Sequence, residues 1–525
     1  MDQFQSTQTL VIGLLLVVSL VAIAVRRLQV PYTVALVVVG LLLTARSTVT
    51  IELTPELILA LFVPPLIFEG AFHLSLKELR RNLVPILTLA VAGVILTMLL
   101  VGGLIAYGAG LALPVALTFG ALIAATDPVA VISIFRSLGV PKRLAVLVEG
   151  ESLVNDGTAL VLFNLMLGIV ATGQFSLAAS LLDFVTISIG GVVVGLLLGW
   201  GTAQLIARID DYLIETTLTT VLAFGSYLVA EQLHLSGVLA VLGAGLISGN
   251  YGSQGMSPTT RIILVNFWEY IAFLANSLVF LLIGLEIEVP ALLAAWQTIL
   301  WAIGAVIVAR LVVVYGLSGL LRGLAEPISL RWQHVLNWGG LRGALTLALA
   351  LSLPDAFGPE RTLLRTLAFG VVLYTLLVQA TTLRPLIRRL GIISRSADQV
   401  EYEKRHARLT ALRSAESHLE RRFREGLVSH HTWEVLRPMI QEQLAALAEL
   451  VRESLRSAPG LEAEEIDTAR REVLRAQRSA LLGLRHDGVI SDDVFDQLSV
   501  EIDGLLSGAT DEFRLVVDAP PAEPE

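Results

Sequence analysis

The chain has 525 residues, of which 55% are hydrophobic and only 16% are charged, and its mean hydropathy is +0.74. A soluble protein of this length would carry more charge, so the composition is typical of a polytopic membrane protein. The net charge of −9 combines an apolar region with a charged tail and does not indicate nucleic-acid binding. Cysteine is absent, which excludes disulfides, iron–sulfur clusters and thiolate catalysis.

Thirteen apolar runs follow one another along the chain. About twenty apolar residues cross a bilayer as a helix, and backbone groups in lipid must bond internally. We therefore expect an all-α polytopic membrane protein with about thirteen transmembrane helices. The predicted spans are 8–25, 32–46, 55–73, 83–108, 113–136, 144–171, 178–207, 213–233, 236–250, 262–286, 290–321, 331–353 and 362–387.

Basic residues are concentrated in alternate loops, as expected because cytoplasmic loops collect lysine and arginine. This alternation predicts an extracellular N-terminus and a cytoplasmic C-terminus. The richer loops carry Arg26, Arg27, Lys77, Arg80, Arg81, Arg136, Lys142, Arg143, Arg208, Arg261, Arg322, Arg331, Arg384, Arg388 and Arg389, whereas the others carry only Arg46, Arg361 and Arg365.

Two weak similarities, between the second and ninth spans and between the third and tenth, predict an internal repeat. Equivalent spans are seven apart, and an odd offset reverses the direction in which a span crosses the membrane. The two halves would therefore be an inverted-topology repeat, the usual construction of secondary transporters. We expect a transmembrane domain over residues 1–390, a cytoplasmic helical regulatory tail over 391–515, and a disordered C-terminus over 516–525.

The fifth span contains Thr126-Asp127-Pro128 near its middle. Proline lacks a backbone N–H and clashes with the preceding turn, so we expect the helix to break here and Asp127 to cap the following half. A break at membrane depth is tolerated where protein or water covers it. The freed backbone at Thr126 is therefore a candidate cation ligand.

The sixth span carries Glu151, Ser152, Asn155 and Asp156. Spacings of four residues place these side chains on one polar face of a helix. A charged residue at the bilayer centre costs at least about 2.5 to 3.5 kcal/mol on insertion scales and is a functional hypothesis by default. The structural alternative for Glu151 is an ion pair that locks two helices.

Arg310 and Arg342 are the basic candidates for that pairing, and either could neutralise Glu151. Arg342 lies in the twelfth span beside Gly339, Gly340 and Gly343, which could break this helix as Pro128 breaks the fifth. Matched breaks in the two halves point to a transporter binding site. The remaining carboxylate, Asp156, could then bind a proton or a metal cation in turn.

Three further polar residues lie inside predicted spans. Glu69 is a candidate for proton access or pH sensing, or a helix-end residue in a polar cavity. Asn276 and Ser277 are expected to hydrogen-bond helix to helix.

The interrupted spans and the buried carboxylates together predict cation/proton exchange. Because no ATP-binding loop is present, we expect an ion gradient to drive it. Oxygen ligands suit hard cations, so Na+, Li+ and K+ all stay open. The rival interpretations are a cation channel or receptor and an intramembrane aspartic protease using Asp127 and Asp156, although the Gly-x-Gly-Asp context of such a protease is missing.

Four stretches, ATDPVAV, EGESLVNDGTALVLF, FLANSLVFLLIGLEI and GGLRGA, resemble in order and spacing the monovalent cation:proton antiporters of the NhaP and sodium/proton exchanger type. The resemblance covers about residues 8–390. It implies a transporter, not an enzyme, that exchanges Na+ for H+ without a cofactor. The alternative within the fold is a K+/H+ antiporter.

The resemblance also implies how the residues act. Asp156, Ser152 and the Thr126 backbone would bind Na+, and Glu151 would contribute through water. Asn155 would bond across to the break at Thr126-Asp127, Arg310 would pair with Glu151, and the Asn155-Asp156 order is similar to the electroneutral, one-for-one class.

The resemblance further implies a homodimer with crossing interrupted helices and an elevator-type mechanism. We expect the protein in the lipid of a bacterial plasma membrane. An unidentified regulator of the cytoplasmic tail is a further expected partner.

Overall fold

The computed structural model describes residues 2–28, 32–44, 58–209, 211–252, 256, 258–287, 289–392, 397–457, 459–486 and 488–506. The chain divides into two compact units, residues 1–394 and 395–525. Within the described ranges, the regular structure is helical throughout.

The described part of the first unit is built mainly from apolar helices. In chain order they are α1 (Asp2–Leu28), α2 (Tyr32–Thr44), α3 (Leu59–His73), α4 (Leu76–Arg81), α5 (Leu83–Ala109), α6 (Leu113–Ala124), α7 (Val129–Leu138), α8 (Lys142–Thr172), α9 (Leu177–Ile206), α10 (Tyr212–Gln232), α11 (Gly237–Gly252), α12 (Pro258–Glu286), α13 (Val289–Ala294), α14 (Trp296–Leu320), α15 (Leu330–Trp338), α16 (Ala344–Leu351) and α17 (Pro359–Arg389).

These helices confirm the predicted fold class. Eight segments of the described chain, with α6 and α7 taken together, are long and apolar enough to cross a membrane. Four shorter apolar helices (α1, α2, α3 and α11) and the pair α15 and α16 occupy the other five predicted spans. The protein is an integral membrane protein.

Some boundaries differ from those predicted. The run 290–321 is not one helix, because the backbone leaves helical geometry at Ala295, where φ is −97° and ψ is 15°, between α13 and α14. The predicted ends at residues 45–46 and 55–57 lie outside the described residues.

Glycines bring α9, α11 and α3 into close contact. Gly191, Gly195 and Gly199 recur every fourth residue along α9, and a side chain at Gly195 would collide with the backbone of Ala240 on α11. On the other side of α11, a Cβ at Gly245 would lie 3.0 Å from the carbonyl oxygen of Phe68 on α3. Small residues allow such close backbone approach in membrane bundles, and here they fix the position of α3.

The second unit contains α18 (Ala397–Arg424), α19 (His430–Ser457), α20 (Pro459–His486) and α21 (Asp492–Leu506). At the turn between α18 and α19, Phe423 stacks on Trp433 with ring centroids 4.7 Å apart. Arg485 at the end of α20 bonds Asp492 at the start of α21, with Nε 2.7 Å from Oδ1. The predicted disordered segment 516–525 lies outside the described residues.

Candidate functional site

The first half of the site is the interruption between α6 and α7. The helix α6 ends at Ala124, which is four residues before Pro128, and α7 begins at Val129. A proline ring clashes with the carbonyl of the residue four positions earlier, so the observed end of α6 is the expected one. Thr126 lies in the extended stretch between the two half-helices and is 3% exposed.

The second half is a matching interruption between α15 and α16, over residues 339–343. The two interruptions contact each other, because the backbone N–H of Asp127 donates to the carbonyl oxygen of Leu341 at 2.8 Å. Gly343 lies against Asp127 so closely that a Cβ at this position would collide with the Asp127 side chain. The interrupted helices therefore meet at their non-helical segments.

The half-helix ends created by the first interruption are neutralised by charged side chains. Arg342 donates from Nη1 to the carbonyl oxygens of Ala124, at 2.9 Å, and Ala125, at 3.0 Å. The Asp127 carboxylate accepts from the N–H of Val129 at 2.9 Å. Helix C-termini carry partial negative charge and N-termini partial positive charge, so each contact opposes the local dipole.

Helix α8 presents the polar face predicted from its spacing. Asn155 accepts from the backbone N–H of Thr126 at 3.3 Å and donates to Thr126 Oγ1 at 2.6 Å. The same hydroxyl lies 3.0 Å from Ser152 Oγ. Since all three side chains are buried, these contacts attach α8 to the first interruption.

Arg310, and not Arg342, is the ion-pair partner of Glu151. The guanidinium donates from Nη1 to Oε1 at 2.6 Å and from Nη2 to Oε2 at 3.1 Å. Arg310 Nη2 also donates to the carbonyl oxygen of Leu336 in the last turn of α15. Both oxygens of Glu151 are therefore engaged, and Glu151 is only 2% exposed.

Asp156 differs from Asp127, Glu151, Arg310 and Arg342, whose side chains are all hydrogen-bonded. Within the part of the chain that the structure describes, its carboxylate makes no hydrogen bond and no ion pair. It lines a cavity of about 310 Å³ together with Thr126, Asp127, Gly343 and Thr346. The arrangement leaves the Asp156 carboxylate able to bind a proton or a cation, at a cavity that the carboxylates of Glu69 and Glu149 also line.

Glu69 lies on α3 and lines the same cavity. Its Oε1 is 3.2 Å from Nδ1 of His73, one helical turn later. It also lines a second cavity of about 730 Å³, and Ser133, Arg136 and Asn276 likewise line both. Glu69 therefore lines both the cavity that contains Asp156 and the second cavity.

Sequence reasoning missed three groups in this region. Glu149 lines the first cavity seven residues before Asp156, a separation of about two turns that places both on one face of α8. His73 follows Glu69 by four residues, a spacing that predicts contact. Arg136 was assigned only to a loop, although it lines both cavities.

Comparisons with known proteins identify relatives of this chain. The family model described as the transmembrane sodium/hydrogen exchanger matches residues 13–389. The Na+/H+ antiporter ApNhaP of Aphanothece halophytica is 45% identical over 395 residues, which are 74% of this chain and 75% of that protein. The low-affinity Na+/H+ antiporter NhaS1 of Synechocystis sp. is 40% identical over 441 residues, covering 83% and 84% of the two chains.

The fold is also that of a solved structure. The sodium proton antiporter MjNhaP1 of Methanocaldococcus jannaschii superposes with a TM-score of 0.61 at 22% identity, covering 74% of this chain and 99% of that one. At this identity the likeness concerns the fold alone. The family model and the relatives show that the chain belongs to the family of transmembrane sodium/hydrogen exchangers.

Proposed function

We propose that this protein exchanges one Na+ for one H+ across the membrane, with Asp156 as the group that binds each ion in turn. The observation that carries the proposal is the unpartnered Asp156 carboxylate at the cavity, beside a Glu151 whose two oxygens are held by Arg310. A single carboxylate neutralised by either Na+ or H+ has the same net charge in both loaded states. Exchange at this site is therefore electroneutral.

The oxygen groups around Asp156 support Na+ as the cation. Ser152 and Thr126 share a hydrogen bond on the adjoining face, and hard cations prefer hydroxyl, carbonyl and carboxylate oxygens. We assign Asp156, Ser152 and the Thr126 backbone as direct ligands. Glu151 contributes through a water molecule, since Arg310 occupies its carboxylate.

The walls of the cavity support an elevator-type mechanism. One wall consists of the interrupted helices with α8, which are joined by the contacts of Asn155, Arg342 and Arg310. The other wall carries Glu69 of α3 and Asn276 of α12. We propose that the first wall moves as a body against the second and exposes Asp156 to each side of the membrane alternately.

The sequence and the relatives support proposals on membrane orientation, location and assembly. The concentration of basic residues in alternate loops supports an extracellular N-terminus and a cytoplasmic C-terminus. Bacterial relatives named as Na+/H+ antiporters support a bacterial plasma membrane and Na+ as the substrate. We further propose a homodimer, with the second unit as a regulatory domain.

The test is the dissipation of a pH gradient in proteoliposomes that contain the full chain. Addition of NaCl should move protons at the same rate whether the membrane potential is clamped or free. Asp156→Asn removes the exchangeable charge and should abolish this movement. Asp183→Asn makes the same change at an exposed carboxylate of α9 and should leave the rate unchanged.

The possible results separate the alternatives. Retained exchange in Asp156→Asn would discard Asp156 as the exchanging group. A rate that depends on potential would contradict one-for-one stoichiometry. A response to KCl but not to NaCl would reassign the substrate to K+, and a response to neither cation would contradict antiport.

A further inference from the structure

Asn276 is a buried amide that faces the ion cavity. It lies on α12 and is 6% exposed. It lines both the cavity that contains Asp156 and the larger cavity beyond it. Among the described residues, its side chain has no hydrogen-bond partner. The amide is therefore accessible from the cavity that Asp156 also lines.

Its neighbour Ser277 has a different environment. The Ser277 hydroxyl accepts from the hydroxyl of Tyr32 on α2 at 2.9 Å and donates to the carbonyl oxygen of Phe273 at 2.5 Å. The expectation of a helix-to-helix hydrogen bond thus holds for Ser277. Asn276 makes no such bond and needs another explanation.

Buried polar side chains in proteins are almost always hydrogen-bonded, to protein or to water. The partner of Asn276 must then come from the cavity itself. An amide offers one acceptor oxygen and two N–H donors. The described lining of the same cavity includes the carboxylates of Glu69, Asp127, Glu149 and Asp156 and one guanidinium, that of Arg136. Because negative charge is in excess there, an ion bound by the amide oxygen is a cation.

We propose that Asn276 is a ligand of the transported cation, giving its amide oxygen directly or through one water molecule from the wall opposite Asp156. It sets the affinity and selectivity for the cation, whereas Asp156 carries the exchanged charge. This inference rests on the proposed function. Asn276 and Asp156 lie on different walls. Movement of one wall therefore separates Asn276 from the cation bound at Asp156 and favours release of the cation.

The test compares Asn276→Ala with the adjacent Ser277→Ala in the purified full chain. Cation binding is measured without transport, as the rise in melting temperature with increasing NaCl at an ionic strength held constant with choline chloride. Exchange is measured in proteoliposomes as the KM and maximal rate for Na+, Li+ and K+.

Asn276→Ala should raise the half-saturating Na+ concentration roughly three- to tenfold in both measurements, the effect of losing one weak ligand, with the maximal rate nearly unchanged. The ratio of the KM values for Na+ and K+ should change as well. Asn276→Asp keeps an oxygen ligand and should restore the affinity. Ser277→Ala should lower the melting temperature in the absence of Na+ and leave the half-saturating concentration unchanged.

An unchanged half-saturating Na+ concentration in Asn276→Ala would overturn the inference, and so would a loss of maximal rate alone, which indicates a structural role. Failure of the proposed function gives a different pattern. The wild type would then bind Na+ with an affinity that depends on Asn276 but would move no protons.

Discussion

Arg310 joins three helices through one guanidinium. It lies on α14, forms two hydrogen bonds with Glu151 on α8, and donates to the carbonyl oxygen of Leu336 on α15. The 2.6 Å and 3.1 Å distances to the two carboxylate oxygens give the bidentate geometry that arginine favours. Arg310 therefore connects the helix that carries Asp156 to one of the interrupted helices.

Replacing Arg310 should destabilise the protein. Arg310→Ala leaves Glu151 buried and unpaired, and breaking a buried pair in this way costs about 3–5 kcal/mol. We expect a lower melting temperature in detergent, whereas Arg322→Ala, an exposed arginine after α14, should have little effect. The double variant Glu151→Gln with Arg310→Met should be more stable than Arg310→Ala, and equal melting of the wild type and Arg310→Ala would contradict the prediction.

Asn155→Ala should weaken the attachment of α8 to the first interruption. The variant leaves the buried N–H and hydroxyl of Thr126 without this partner, at a cost of about 1–3 kcal/mol. We expect reduced stability and slower Na+/H+ exchange, measured by thermal unfolding and by proteoliposome assay. Asn164→Ala, an exposed position on the same helix, is the matched control, and an equal effect of both changes would argue against a special role for Asn155.

Gly343→Ala should disrupt the contact between the two interruptions. A methyl group at this position would collide with the Asp127 side chain, which cannot move away without losing its bond to Val129. Overpacking typically costs about 1–3 kcal/mol of stability, so the melting temperature should fall and exchange should be slower than in the wild type. Gly304→Ala on α14 meets no atom within 4 Å and should behave as the wild type. Normal exchange in Gly343→Ala would show that the contact tolerates displacement.

Removal of the second unit should leave exchange intact. The first unit, residues 1–394, is compact and contains every residue assigned to the ion site. We expect a variant that lacks residues 395–525 to exchange Na+ for H+ but with an altered pH response or maximal rate. Loss of all exchange in a monodisperse truncated protein would show instead that the second unit is essential for transport.

The sequence predicts much of the membrane region because its signals are local. Apolar runs fixed the order of the spans, Pro128 marked the end of α6, and the spacing of four residues placed Ser152 and Asp156 on one face. Each of these features depends on residues within a few turns of one another, so no knowledge of packing was needed.

Contacts between distant helices were harder to predict. Arg310 and Arg342 both lie in apolar stretches, and neither spacing nor periodicity decides which one reaches Glu151. The family resemblance alone pointed to Arg310. The adjacent residues Asn276 and Ser277 are similar in polarity, yet one faces the cavity and the other faces Tyr32. Which way a side chain faces depends on how each helix is rotated about its axis relative to its neighbours. In a uniformly apolar helix, the sequence periodicity does not reveal this rotation.

The half-helix ends at the first interruption do not need an ion to satisfy them. Arg342 engages the carbonyls of Ala124 and Ala125, and Asp127 engages the N–H of Val129. The crossing can therefore keep its shape when the site is empty. Binding of Na+ or H+ then does not have to reorganise the helix ends. A well-formed site is therefore compatible with weak, rapidly reversible binding.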